Sequence, residues 1–195
     1  MRKKVLYALC ALILCSNPMQ ADSIEDQAKD FIQKLGDDAI KILKRGGSDA
    51  SKRKQFESLF KTRFALSTIA KQVMGKYWRQ ASSNQKKEFL ELFKKTTLET
   101  YTSRISEYGN EKFEVTKSQK RTGTAIFVES NVIQANGKPL KIKWLVLRGR
   151  NGDYRVGDVY IGDLSQLATQ RSEYAAIIRR KGIDGLLHSL RAKLK

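Results

Sequence analysis

The segment IKWLVLRGRNGDYRVGDVYIG, residues 142–162, constrains the fold more than any other part of the chain. It has the form of two strands joined by a tight Asn-Gly turn. A half-exposed antiparallel strand alternates apolar and polar side chains, but here both faces carry apolar residues. On alternation alone, Val156, Asp158 and Tyr160 share one face, and Val159 lies on the other. Such a hairpin needs cover on both faces, which helices on both sides would provide.

The order of predicted elements is helices, then strands, then helices. The hydrophobic periodicity predicts strands over residues 112–120, 124–134, 140–147 and 154–161. It predicts helices over 23–45, from Ser48 or Asp49 onward, before Gly75, from Ser82 or Ser83 onward, over 164–180, and after Gly182. We therefore expect an α+β fold, in which a twisted antiparallel β-meander of about four strands packs against N- and C-terminal helices.

The N-terminus has the pattern of a secretory signal peptide. Basic residues 2–4 precede an apolar run over residues 5–15, and Ala21 supplies a small residue for cleavage. The apolar run is too short to span a bilayer as a permanent anchor. We predict that residues 1–21 are a signal peptide cleaved near Ala21, and that residues 22–195 form a single domain.

The only cysteines, Cys10 and Cys15, lie in this first segment. Attachment of a lipid to Cys15 is the alternative form of processing, but Leu14 directly before it fits that processing poorly. After simple cleavage the chain would contain no cysteine and no disulfide, although it would be exported. Its stability would then have to come from its hydrophobic core.

The formal net charge of +18 predicts an acidic partner. Nucleic acid, an anionic membrane surface and an acidic cell-wall polymer all have the required charge. Because export separates the chain from nucleic acid, we expect no nucleic-acid partner, and the charge then points to membrane lipids or other envelope polyanions.

Few residues of the chain suit catalysis. The one histidine, His188, is expected on the solvent side of the last helix, and a site for a soft metal is not expected after loss of the cysteines. A buried Asp158 could act as a general base. The interpretation we favour pairs its carboxylate with Arg155, Arg171 or a backbone amide, so we expect no enzyme activity, no metal and no cofactor.

Three motifs carry a resemblance to a known family. They are MGKYWRQAS at 74–82 with EFLELF at 88–93, VGDVYIGDLS at 156–165 with QRSEY at 170–174, and KGIDGLL at 181–187. In this order they resemble the MlaC family of periplasmic phospholipid-binding proteins, also called toluene-tolerance proteins. The chain departs from the family pattern at Gly162-Asp163, where the family usually has Glu-Gly.

The resemblance implies a soluble periplasmic carrier that holds phospholipid as cargo between helices and sheet. One apolar face of the hairpin at 142–162 could then line the lipid cavity, as an alternative to helices on both sides. It would shuttle lipid between an outer-membrane lipoprotein-porin complex and the lipid-binding subunit of an inner-membrane ABC transporter, and so maintain the lipid asymmetry of the outer membrane. We predict that the following residues contact lipid: Val73, Leu98, Tyr101, Ile105, Ile126, Val128, Trp144, Val146, Val156, Tyr160, Leu164 and Ile178. Two alternatives stay open, an envelope hydrolase and a basic protein that binds acidic cell-wall polymers.

Overall fold

The computed structural model describes residues 23–102, 112–134 and 137–194. The predicted signal peptide and Ile105 lie outside these described residues. The helices are α1 (Ile24–Lys44), α2 (Asp49–Arg63), α3 (Leu66–Met74), α4 (Tyr77–Gln80), α5 (Ser83–Thr102) and α6 (Gln166–Ala192). The strands are β1 (Lys112–Lys120), β2 (Ala125–Ile133), β3 (Pro139–Arg148), β4 (Tyr154–Ile161) and β5 (Leu164–Ser165).

Side-chain caps fix where several helices begin. The hydroxyls of Ser23 and Ser48 accept hydrogen bonds from backbone amides three residues later, at the starts of α1 and α2. Ser82 and Gln85 form a reciprocal capping box before α5, because each side chain accepts from the other residue's amide. These caps agree with the predicted helix starts to within one residue.

The five strands form one antiparallel sheet in the order β1-β2-β3-β4-β5. This is the predicted meander with one strand more than expected. The additional strand, β5, takes up Leu164 and Ser165, so the helix predicted from residue 164 begins at Gln166 instead. The predicted break at Gly182 is present as a kink inside α6, where this glycine has φ 70° and ψ 179°.

A β-bulge at Gly157 corrects the predicted faces of β4. Leu145 pairs with Asp158 but Val146 pairs with Val156, so Gly157 has no partner and the alternation shifts by one residue. A side chain at Gly157 would meet Leu147 at 2.7 Å, which explains a glycine there. The prediction that Val156 shares a face with Asp158 and Tyr160 is therefore wrong.

Within the part of the chain that the structure describes, buried apolar side chains form two hydrophobic clusters. In the first, which we call the sheet core, α1 packs on one face of the sheet; its buried members are Ala28, Ile32, Leu35, Ile126, Val128, Val146 and Val156. In the second, the helix core, α3, α5 and α6 pack together; its buried members include Val73, Met74, Phe89, Phe93, Tyr174, Ile178 and Leu187. No helix among the described residues is long and apolar enough to cross a bilayer.

Candidate functional site

A cavity of about 200 Å³ lies where the sheet core meets the helix core. The end of α2 and the start of α3 form one side, through Phe60, Phe64, Leu66 and Ile69. This side is fixed to β4, since the Ala65 amide donates to the Val156 carbonyl at 2.9 Å. Residues 156–159 of β4 complete the floor, and α5 and α6 form the remaining walls.

One face of α5 forms a wall of the cavity. The exposure of its side chains rises from Phe93 to Tyr101, so we call it the graded wall. Phe93, Thr96, Thr97, Thr100 and Tyr101 line the cavity, and their spacing of three, one, three and one places them on the same side of a helix. Phe93 is 1% exposed and Thr96 is 6% exposed, whereas Tyr101 is 52% exposed. The wall therefore runs from a buried apolar base to an open rim, with hydroxyls between them.

At the start of α6, the carboxylate of Asp158 caps the helix and lines the cavity. The Asp158 carboxylate accepts from the amides of Val159 and Leu167, at 2.8 and 3.0 Å, and from the Ser165 hydroxyl at 2.6 Å. Ser165 in turn accepts from the Ala168 amide, as the N-cap of α6. Of the alternatives raised for Asp158, the structure shows pairing with backbone amides, because a bulged strand brings it to a helix N-terminus.

Aromatic rings line the cavity on the side of α2. Phe64 stacks on Phe60, with ring centroids 3.9 Å apart, and Phe60 stacks on Tyr101 at 5.5 Å. One part of α2 nearer its start is held to α5 by the Arg53 guanidinium, which donates to both carboxylate oxygens of Glu99 at 2.9 and 3.1 Å. No side chain of α2 is fully buried. Its last turn is nevertheless held, because Arg63 pairs with Asp38 at 3.3 Å and the Thr62 carbonyl accepts from Arg155 at 2.9 Å.

Two tyrosines of the cavity have altered acidity. Burial first, and the nearby Glu173 carboxylate second, raise the pKa of Tyr174 well above its usual range. Desolvation first, and then the Asp158 charge, raise the pKa of Tyr101, although about half of this residue is exposed. Both hydroxyls therefore stay protonated at neutral pH and can act as hydrogen-bond donors.

The far face of the sheet, opposite α1, carries aromatic rings that are covered by cations, whereas Asp158 on the same face lines the cavity. Phe127 and Tyr160 meet edge to face with ring centroids 5.8 Å apart. Lys143 lies over both rings, and Arg121 lies over Phe127 at 5.0 Å from its centroid. Long basic side chains thus shield the aromatic rings of this second face, with their charged groups over the rings.

The structure distributes the twelve predicted lipid contacts over several places. Tyr101 and Val156 line the cavity. The others in described parts of the chain lie elsewhere: Ile126, Val128, Trp144 and Val146 in the sheet core, Val73 and Ile178 in the helix core, Leu98 buried on α5, Tyr160 on the far face of the sheet, and Leu164 exposed. Ile105 lies outside the described residues. Val156 is the one predicted residue in the two cores that also lines the cavity.

Several cavity residues were missed by the sequence analysis. Thr96, Thr97 and Thr100 interrupt an otherwise apolar helical stripe, and polar residues at such positions are a signal that the stripe faces something other than a packed core. The start of α6 carries a second signal of this kind, because Gln166, Gln170 and Glu173 alternate there with apolar residues.

The two remaining predictions concern metals and the histidine. His188 is exposed on α6, as predicted. Across residues 23–102, 112–134 and 137–194, no three His, Cys, Asp or Glu side chains are grouped so that they could hold a metal ion.

Comparison with known proteins identifies the chain's relatives. A family model described as MlaC protein matches residues 33–192. The intermembrane phospholipid transport system binding protein MlaC of Haemophilus influenzae is 27% identical over 126 residues, which cover 63% of this chain and 58% of that protein. The toluene tolerance protein ttg2D of Pseudomonas putida is 26% identical over 117 residues, which cover 60% and 54%. The matched part is thus just over half the length of these curated relatives.

A solved structure shares the fold. The phospholipid-binding protein of Ralstonia solanacearum, determined in complex with a phospholipid, superposes with a TM-score of 0.75. The match covers 85% of this chain and 96% of that one at 24% sequence identity. The α+β architecture of helices around an antiparallel sheet is therefore common to both proteins.

Proposed function

Because the chain belongs to the MlaC family, we propose that it is a phospholipid carrier whose acyl chains enter the cavity between the sheet core and the helix core. The observation that carries this proposal is the graded wall of α5, with an apolar base at Phe93 and an open rim at Tyr101. Such a wall suits an amphiphile, because the tail can be dry while the headgroup remains in water.

The cavity must widen to hold such cargo. Its volume of about 200 Å³ is below the roughly 300–1,000 Å³ of pockets that enclose drug-sized ligands. The helix we expect to move is α2, about its last turn, which is fixed to α1 and β4, since none of its side chains is fully buried. It is held at the cavity by the Phe60–Tyr101 stack and, further along, by the Arg53–Glu99 pair. Glycines 46 and 47 precede α2 and would allow it to pivot.

Energetics require that lipid passes directly between proteins. Two chains of sixteen carbons bury roughly 30 methylenes, which is worth roughly 24 kcal/mol at about 0.8 kcal/mol each. A barrier of that height limits escape into water to about 10⁻⁵ per second. The carrier must therefore dock before cargo leaves. We propose as docking partners an outer-membrane lipoprotein-porin complex and the lipid-binding subunit of an inner-membrane ABC transporter, with maintenance of outer-membrane lipid asymmetry as the result.

Export is part of the same proposal. We propose that residues 1–21 direct the chain to the periplasm and are removed near Ala21, which leaves residues 22–195 as the carrier domain. Mass determination of the protein recovered from periplasmic extract tests this, and a retained N-terminus would contradict it.

The decisive test of the function is the identity of the bound cargo. Protein should be purified from periplasm without detergent, extracted with organic solvent, and the extract analysed by mass spectrometry. We expect about one phospholipid per chain. A folded protein that carries none, and that takes up none from phosphatidylethanolamine vesicles, would overturn the proposal.

A further inference from the structure

The hydroxyl of Thr97 is buried and has no hydrogen-bond partner within the described residues. Its neighbours on α5 differ, because each of their hydroxyls donates to the backbone carbonyl four residues earlier, at 2.8 to 2.9 Å; these are Thr96, Thr100 and Thr102. The carbonyl that Thr97 would use in the same way belongs to Phe93, and it already accepts from Thr96 at 3.2 Å. A buried donor without an acceptor is unfavourable unless a ligand supplies one.

The position of Thr97 along the wall indicates which part of a lipid would supply that acceptor. Phe93 lies at the buried base, and Thr100 and Tyr101 lie at the exposed rim. Thr97 lies between them. In an amphiphile with its tails at the base and its headgroup in water, the linkage between the two parts falls at this depth.

We propose that the Thr97 hydroxyl donates a hydrogen bond to an acyl ester carbonyl of the bound phospholipid, an assignment that rests on the proposed function. Charge favours a carbonyl over a phosphate oxygen at this depth, because the carboxylate of Asp158, which is buried, lines the same cavity. Thr97 thus makes the cavity selective for ester-linked lipids.

Competition between two lipids tests this selectivity. Delipidated protein is incubated with vesicles that contain equal amounts of dipalmitoyl phosphatidylcholine and its dihexadecyl ether analogue, which lacks the carbonyls. The bound lipids are then extracted and their ratio is measured by mass spectrometry. One neutral hydrogen bond corresponds to a preference of about three- to tenfold for the ester. Because the readout is a ratio within one tube, it does not depend on how much protein is folded.

Variants of Thr97 test whether its hydroxyl causes the preference for the ester lipid. Thr97→Val keeps the side-chain shape and should reduce the ester-to-ether ratio to about one, whereas Thr97→Ser should retain it. Thr102→Val is the matched control, because Thr102 is a buried threonine of the same helix outside the cavity, and it should behave as the unmodified protein. An unmodified protein that takes up both lipids equally, or a preference that persists in Thr97→Val, would overturn the assignment alone. Failure to take up either lipid would overturn the proposed function and the assignment with it.

Discussion

The Ser165 hydroxyl donates to Oδ2 of Asp158 at 2.6 Å, and this contact joins strand β4 to the N-cap of α6. The same carboxylate accepts from the amides of Val159 and Leu167. A carboxylate at a helix N-terminus satisfies amides that have no partner within the helix and interacts favourably with the helix dipole. Asp158 therefore holds the sheet and the last helix in the orientation that forms the cavity.

Asp158→Asn should lower the free energy of unfolding. The amide side chain can still accept from a backbone amide, but it loses the negative charge and one of the strong acceptor oxygens. We expect a loss of about 1–3 kcal/mol, because Asp158 is 7% exposed and its partners would be left unsatisfied. Urea denaturation monitored by circular dichroism measures the change.

Asp163→Asn is the control for that substitution. Asp163 is exposed in the turn between β4 and β5, so its replacement should change the unfolding free energy by less than about 0.5 kcal/mol. Equal midpoints for the two variants would contradict the capping role of Asp158.

Alkaline pH should destabilise the protein through Tyr174. This residue is 3% exposed, and burial raises the pKa of its hydroxyl in the folded state above the value of about 10 found in unfolded chains. Above about pH 10 the unfolded chain therefore binds fewer protons than the folded chain, and the unfolding free energy falls as pH rises. One such group contributes a slope of at most about 1.4 kcal/mol per pH unit.

Comparison with Tyr174→Phe isolates this contribution. The variant should lose stability less steeply than the unmodified protein between pH 10 and 11.5, in denaturant titrations at each pH. Near pH 8 the two stability curves should run parallel, because the hydroxyl is protonated in both states. Identical slopes above pH 10 would contradict the effect.

Local signals in the sequence predicted most of the fold. The serine caps and the hydrophobic periodicity located the helices, and alternation between turns located four strands. The bulge at Gly157 was missed, because strict alternation assumes that every residue has a partner across the ladder. A glycine inside a strand pattern is nevertheless a known signal of a bulge, and it would have separated Val156 from Asp158.

The site was less predictable, since it depends on how distant segments come together. Tyr101 and Val156 were predicted to contact lipid, and in the structure both line the cavity. Phe60, Phe64 and Leu167 also line it, but they come from segments that only tertiary packing brings there. Buried valines and isoleucines of a filled core have the same periodicity as residues that line a cavity. The threonines on the inner face of α5 were the feature of the sequence that distinguished a cavity lining from a filled core.

Filling the cavity should reduce lipid content without unfolding the protein. Thr100 lies at the exposed rim of the cavity, so Thr100→Trp can place a large ring across the opening with little strain. We expect the amount of phospholipid extracted per chain to fall at least several-fold. Extraction and mass spectrometry give the lipid content, and thermal unfolding shows whether the fold is intact.

Lys95→Trp is the matched control for the rim substitution. Lys95 is exposed on α5 and does not line the cavity, so the same ring there should leave lipid content unchanged. If the lipid content of Thr100→Trp is normal, cargo does not enter through this rim.

Joining α2 to α5 should block lipid exchange if α2 moves to admit cargo. Arg53 and Glu99 form an ion pair between these helices, at 2.9 Å, with both side chains about half exposed. Because exposed pairs are worth little, the native contact can open easily. In Arg53→Cys/Glu99→Cys, a short bismaleimide crosslinker would make the contact permanent. We expect transfer of fluorescent phospholipid from vesicles to become at least tenfold slower after crosslinking and to be normal before it.

A second interhelical ion pair supplies the control for this experiment. Arg191 and Glu88 join α6 to α5, at 2.6 Å, and neither residue lines the cavity. Crosslinked Arg191→Cys/Glu88→Cys should exchange lipid at the unmodified rate, since α5 and α6 are already fixed by the helix core between them. Slower exchange in both crosslinked proteins would point to a general loss of flexibility, and unchanged exchange in both would show that the cavity widens without movement of α2.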